Sequence, residues 1–173
     1  MTRKAPRQLP AAVASVRLAA FDVDGVFTDG RFYLSDDGIE TKAFHTQDGF
    51  GIKKLLAAGI QVAVISSRNS RAVGARMAEL GIEHVVQGAA DKVAAFESIV
   101  ALLQLSANEC VYVGDDVPDL PLLKRVGFAI AVANAVDEVK ADCDYTTRAA
   151  GGSGAVREVC ELLLAARHAT ARG

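Results

Sequence analysis

Leu18-Ala19-Ala20-Phe21-Asp22-Val23-Asp24-Gly25-Val26-Phe27-Thr28-Asp29-Gly30 runs four apolar residues straight into a loop rich in aspartate and glycine. The apolar stretch does not alternate with polar residues, so it reads as a strand covered on both faces, the habit of parallel sheets flanked by helices. Val62–Ile65, Val111–Val113 and Phe128–Val132 repeat the pattern further on. Between them the apolar residues take helical spacing. Val73, Met77 and Leu80 share one face, as do Val93, Phe96, Val100 and Leu103, and Val156, Val159, Cys160, Leu163 and Leu164 form a last amphipathic stripe. Gly59 and Gly81 stand where two of these helices should end. Alternating strand and helix imply an α/β fold with a doubly wound parallel sheet.

One segment breaks the rhythm. Arg31–Ser35, Asp36-Asp37-Gly38 and Ile39–His45 read as a β-hairpin around an Asp-Gly turn, inserted between the first strand and the first large helix. A hairpin there projects beyond the carboxyl ends of the strands, where sheets of this kind bind ligands.

The 173 residues suit one compact domain, with 51% hydrophobic and 23% charged residues, a globular composition. Met1 to Pro10 reads as the start of a flexible tail over 1–15 that leads into a short helix, with a single domain over 16–173. A formal net charge of -2 and scattered basic residues give no nucleic-acid footprint. No apolar run approaches membrane-spanning length, and Arg17 interrupts the only N-terminal apolar stretch. Cys110, Cys143 and Cys160 show no zinc spacing and no close pair, so they read as idle thiols in a reducing compartment, the cytoplasm.

Gly114-Asp115-Asp116-Val117-Pro118-Asp119 follows the third apolar strand as Asp22 and Asp24 follow the first. If those strands are neighbours, the carboxylates converge and repel one another unless a cation or proton compensates. Mg²⁺ is the natural partner, a hard ion that takes carboxylate, water and phosphate oxygen. Isolated loop aspartates usually cap helices or shape turns. Here, however, Ser66 ends another strand and Lys92 opens a helix after His84-Val85-Val86. A hydroxyl and an ammonium in those places suit a phosphate that the metal also grips.

These residues resemble the four ordered motifs of the haloacid dehalogenase (HAD) superfamily: Asp-x-Asp-Gly-x-x-Thr at 22–28, Ser66, Lys92, and Gly-Asp-Asp-x-x-Asp at 114–119. The resemblance implies that Asp22 is the nucleophile of an aspartyl-phosphate mechanism and Asp24 the general acid and base. It implies Mg²⁺ held by the Asp22 carboxylate, the Asp24 carbonyl and Asp115. Ser66 with the amide of Ser67 would bind a phosphoryl oxygen, and Lys92 would balance charge. Asp119 would orient Lys92 or metal-bound water, and Thr28 would stabilise the loop.

The intervals between motifs leave no room for a cap domain, so a neighbouring subunit would close the site. Asp22–Gly30, Phe44–Ile52 and Gly151–Glu158 are similar to the 3-deoxy-D-manno-octulosonate 8-phosphate (KDO 8-phosphate) phosphatase family. That likeness implies a capless homotetramer acting on a small acidic sugar phosphate in lipopolysaccharide synthesis. It implies a substrate site of Asp24, His45, Thr46, Gln47, Asp48, Gly49, Lys53, Arg68, Arg76, Lys92 and Asp116. Arg68 and Arg76 are eight residues apart and, on one helix, would lie about 12 Å apart along its axis. Gly151–Gly154 would be a flexible turn or reach an adjoining subunit's site, with Arg157 as a helper. Ser67 stands where that family often has glycine. A nonulosonate 9-phosphate or another phosphate ester is the alternative substrate. A phospho-receiver domain shares the acidic Mg²⁺ site but places its acidic pair first and its phosphoacceptor on a middle strand, the reverse of the order here.

Overall fold

The computed structural model describes residues 11–170. Its main sheet has six strands, β1 (Leu18–Phe21), β4 (Gln61–Ile65), β5 (His84–Val86), β6 (Cys110–Gly114), β7 (Phe128–Ala131) and β8 (Tyr145–Thr146), in the order β5-β4-β1-β6-β7-β8. Every pairing in it is parallel. The chain winds outward from β1 through β4 to β5, then crosses back to β6 on the other side of β1. The switch point between β1 and β6 is therefore where a ligand crevice is expected.

Burial explains the apolar runs. All four residues of β1 and all five of β6 are buried, as befits central strands covered on both faces. The cover consists of α2 (Thr46–Ala57), α3 (Arg71–Leu80), α4 (Lys92–Leu102), the short α5 (Leu120–Leu123) and α6 (Asp137–Ala141), and α7 (Ala155–Thr170). Val73, Met77 and Leu80 on α3, and Val156, Val159, Cys160, Leu163 and Leu164 on α7 are buried as expected, whereas along α4 and its C-cap Phe96 and Ile99 are buried and Val93, Val100 and Leu103 only half-buried. Each such aliphatic side chain contributes about 1.5–3 kcal/mol when removed from water.

Residues 1–10 of the expected tail lie outside the described residues. Ala11–Ala14 form α1, which packs on α7, and Val13 and Val16 are buried. The core thus begins before residue 16.

The hairpin is present but shorter than its sequence suggests. Only β2 (Tyr33–Leu34) and β3 (Glu40–Thr41) pair, antiparallel, with Ser35 and Ile39 closing the turn. An exposed two-stranded ribbon has little to hold it, so its arms run irregularly beyond those pairs. Between β1 and β4 the chain holds only this hairpin and α2. Between β5 and β6 it holds α4 and one 3-10 turn, so no cap domain is inserted at either place.

Candidate active site

Register places the first carboxylates. Phe21 pairs with Val64 on one side and Val113 on the other, so Asp22, Ser66 and Asp115 leave neighbouring strands at nearly one level. The Asp22 amide donates to the Val113 carbonyl at 2.9 Å. Phe27 packs edge-on against Phe21, centroids 5.5 Å apart, and anchors the loop to its strand. Thr28 is fully buried; its Oγ1 accepts from the Gly25 and Gly30 amides at 3.3 and 3.2 Å, the loop-stabilising role expected of it.

Gly25 takes φ +87°, and a Cβ there would stand 1.9 Å from Asp115 Oδ2. Glycine lets the two acidic loops approach. Asn134 grips the same loop, donating to the Gly25 carbonyl at 3.0 Å and accepting from the Gly151 amide at 2.6 Å. A Cβ on Gly151 would lie 1.7 Å from the Gly25 oxygen. Gly151 and Gly152 thus buttress the Asp22–Gly30 loop of their own chain. Asn134 escaped the sequence reading because a lone asparagine in a loop carries no pattern.

Lys92 opens α4 with its amine buried. Nζ lies 2.8 Å from Asp22 Oδ1 and 2.7 Å from Asp119 Oδ1. Asp119, only 1% exposed, is saturated with donors. Its Oδ1 also accepts from the Tyr112 hydroxyl at 2.7 Å, and its Oδ2 accepts from the Asp115 and Asp116 amides at 3.0 and 3.3 Å. Oxygens from Asp22, Asp115 and Asp119 lie within 4.8 Å of one another. With both oxygens so engaged, Asp119 orients Lys92 and the Asp115 loop rather than offering itself to a metal. Tyr112, buried in β6, is a second member missed from sequence; the one phenol in an otherwise apolar strand was its only signal.

Burial and the neighbouring Asp119 push the Asp22 carboxyl up to about 6, against the pull of Lys92. Burial, then Asp22, Asp119 and Asp116, push Asp115 up to about 8. Burial alone would lower the Lys92 ammonium, but Asp22 and Asp119 outweigh it and raise it. A site with this much uncompensated acid and only hard oxygen donors fits a divalent cation such as Mg²⁺. Metal-free, the folded chain holds these protons to higher pH than the unfolded chain does. Its stability therefore falls as pH climbs from the ordinary carboxylate value of 3.8 through about 8. Mg²⁺ displaces those protons, so it should raise the melting temperature more at about pH 8 than at about pH 5.5. Calorimetry at the two pH values checks this; an equal rise at both would contradict it.

Asp24 sits on the cleft side of the loop, its side chain 23% exposed. Lys42 pairs with its Oδ1, and Arg68 Nε lies 3.7 Å from its Oδ2. Arg68 also donates to Glu40 at 2.9 Å. Ser66 is buried and its Oγ accepts from the Arg68 amide at 3.2 Å, which turns the loop after β4. Asp116 caps the following 3-10 turn through the Val117 amide at 2.8 Å. Asp22, Asp24, Ser66, Ser67, Arg68, Lys92, Asp115 and Asp116 all line one cleft of about 250 Å³.

The remaining expected contacts lie elsewhere in the chain. α3 begins at Arg71, so Arg68 belongs to the preceding loop and does not share a helix with Arg76, contrary to expectation. Arg76, Lys53, Thr46 and Gly49 line a separate depression of about 270 Å³. Asp48 is 1% exposed and accepts from the Arg157 amide at 2.8 Å, tying α2 to the first turn of α7. His45 occupies the N-cap position of α2, and Gln47 is exposed on its first turn. Arg157 is engaged with Glu161 at 2.7 Å and with the Phe50 ring, not with the acidic cleft.

Carboxylates converging at the switch point of a parallel sheet, with a buried lysine between them, define a hydrolase of the haloacid dehalogenase class, and the haloacid dehalogenase-like hydrolase model matches residues 84–159. The 3-deoxy-D-manno-octulosonate 8-phosphate phosphatase KdsC of Escherichia coli K12 is 45% identical over 157 residues, 91% of this chain and 84% of that one. The crystal structure of the phosphatase of that name from Yersinia pestis superposes with a TM-score of 0.90 at 42% identity, covering 91% of this chain and 85% of its own. That from Moraxella catarrhalis, in complex with magnesium ion, phosphate ion and KDO, gives 0.89 at 43%, covering 91% and 90%. The chain belongs to the KDO 8-phosphate phosphatase family.

Proposed function

We propose that this chain is a Mg²⁺-dependent phosphomonoesterase that hydrolyses KDO 8-phosphate to KDO and inorganic phosphate, a step in lipopolysaccharide precursor synthesis. The observation that carries the reading is the meeting of Asp22, Asp115 and Lys92 at the switch point, in a chain so similar to enzymes of that name. Asp22 attacks phosphorus while Lys92 holds its Oδ1. As the phosphorus–oxygen bond to the sugar breaks, Asp24 gives its proton to the leaving oxygen. It then takes a proton from the water that cleaves the aspartyl-phosphate. Ser66, the Ser67 amide and Lys92 hold the phosphoryl oxygens. Bound Mg²⁺, held by Asp22, the Asp24 carbonyl and Asp115, would neutralise the phosphoryl charge.

Asp116 and Arg68 would meet the sugar on the cleft side. His45, Thr46, Gln47, Asp48, Gly49, Lys53 and Arg76 would serve a neighbouring copy, a reading supported by the depression of Arg76 and Lys53 sharing no lining residue with the cleft of its own chain. The assembly is a homotetramer. Supporting it are the open cleft and the exposed apolar side chains of the hairpin, Tyr33, Leu34 and Ile39. The unpaired Cys110, Cys143 and Cys160 suit the cytoplasm. Among the described residues, no helix is long and apolar enough to cross a membrane.

The test is kcat/KM on KDO 8-phosphate against nonulosonate 9-phosphates and p-nitrophenyl phosphate, with the active peak sized by chromatography. At least about a tenfold preference for KDO 8-phosphate is expected, the scale one or two polar contacts supply. A preference for a nonulosonate 9-phosphate would overturn the substrate assignment. A fully active monomer would overturn the shared site.

A further inference from the structure

Lys42 lies just beyond β3, where the hairpin returns toward the sheet, and its side chain is completely enclosed. Lysine is almost never buried without a partner, because removing an ammonium from water costs several kcal/mol. Its partners here are two carboxylates. Nζ donates to Asp24 Oδ1 and lies 3.8 Å from Glu40 Oε1. The flanking Thr41 and Ala43 are exposed, so hydrophobic packing along this segment does not account for the inward turn of Lys42.

The surroundings hold the ammonium in place. Glu40 reaches Lys42 with one oxygen and Arg68 with the other, the latter at 2.9 Å. The Phe32 ring lies under both cations, 5.6 Å from Lys42 Nζ and 4.3 Å from the Arg68 guanidinium carbon. Asp24 Oδ1 is thus committed to a fixed donor. Oδ2 faces the cleft side with Arg68 Nε 3.7 Å away, too far for a hydrogen bond, and among the described residues has no other ion-pair partner.

We propose that Lys42 is a positioning residue for Asp24. Its hydrogen bond fixes the carboxylate plane, so that Oδ2 is the oxygen that exchanges protons in the cleft. This rests on the acid–base assignment of Asp24 made above. When the phosphorus–oxygen bond breaks, the proton on Oδ2 passes to the sugar oxygen. When water attacks the aspartyl-phosphate, its proton returns to Oδ2, and Lys42 keeps its own protons throughout. The hairpin, with Phe32, Glu40 and Lys42, thereby takes part in the chemistry.

Single-turnover rates with enzyme in excess and saturating Mg²⁺ test the idea, because they read the first step alone. Nitrophenolate leaves without a proton, whereas an alkoxide does not. Lys42→Met should slow cleavage of an alkyl sugar phosphate about 10–100-fold and p-nitrophenyl phosphate less than about threefold, the pattern of impaired acid catalysis. In an Asp24→Asn background, Lys42→Met should cost less than about a further twofold on the alkyl ester, since the two act as a unit. Equal losses on both esters, or losses that multiply in the double variant, would overturn the proposal while leaving Asp24 as the acid. An Asp24→Asn chain as fast as the parent on the alkyl ester would remove the acid–base assignment itself, and the proposal with it. Should Lys42→Met fail to fold, Lys42→Arg keeps the charge, moves the donor and is expected to give the same split between esters. Equal losses from Lys42→Arg on the two esters would overturn the proposal.

Discussion

Asp22→Asn should leave a folded chain whose turnover of KDO 8-phosphate has fallen by at least about 10⁴-fold, the scale on which loss of a covalent nucleophile is felt. An amide oxygen is a poor nucleophile toward phosphorus and cannot form an acyl phosphate. The fold should survive because Asp22 is not a stabilising charge when metal is absent. Burial and Asp119 already push its carboxyl up to about 6. The Asn side chain keeps an oxygen for Lys92, 2.8 Å away in the parent. At pH 8 without metal, the variant should melt no lower than the parent. Steady-state assays with purified protein and a parallel melting curve check both halves. Turnover within about tenfold of the parent would remove Asp22 from the nucleophile role.

Lys92→Met should have the next largest effect, and on stability as well as rate. The ammonium is the cation between Asp22 and Asp119, at 2.8 and 2.7 Å, and both carboxylates are buried. Removing one member of a buried ion pair costs about 3–5 kcal/mol, because the remaining charge is neither hydrated nor paired. Asp119 keeps its Tyr112, Asp115 and Asp116 donors, so Asp22 bears most of the loss. The deficit should shrink as pH falls toward about 6, because Asp22, which Lys92 holds down to that value in the parent, takes up its proton at higher pH once Lys92 is gone and then needs no partner. Urea unfolding at pH 8 and pH 5 measures the difference. A deficit independent of pH would mean that lost packing, rather than an orphaned carboxylate, accounts for it.

How much of this was legible in the sequence differs by element. β1, β4, β6 and β7 announced themselves because central parallel strands are apolar on both faces. Their carboxyl ends then located Asp22, Ser66 and Asp115 without further information. β8 (Tyr145–Thr146) was invisible: two residues at a sheet edge, one of them exposed, carry no periodicity. The hairpin was placed correctly by its Asp-Gly turn but drawn too long, since its exposed arms lack a packing partner.

Within the site, the motif residues were legible and their supports were not. Tyr112, Lys42 and Asn134 act through contacts made across 7, 18 and 109 residues of chain, which no local pattern encodes. Asp48 makes a contact of the same long-range kind, accepting from the Arg157 amide across 109 residues of chain. Arg68 and Arg76 read as one helix face because the segment continues in helical period. β4 ends at Ile65, as its apolar run implies, but the Ser66–Ser70 turn intervenes and the helix starts only at Arg71.

The most direct measurement is a crystal structure of the protein grown with Mg²⁺ and beryllium fluoride, a mimic of a phosphorylated carboxylate. Beryllium bonded to a side-chain oxygen of Asp22, with Mg²⁺ touching both Asp22 and Asp115, is the expected result. Metal bound away from Asp22, or beryllium on any other side chain, would contradict the claim that these two strand ends build one catalytic centre.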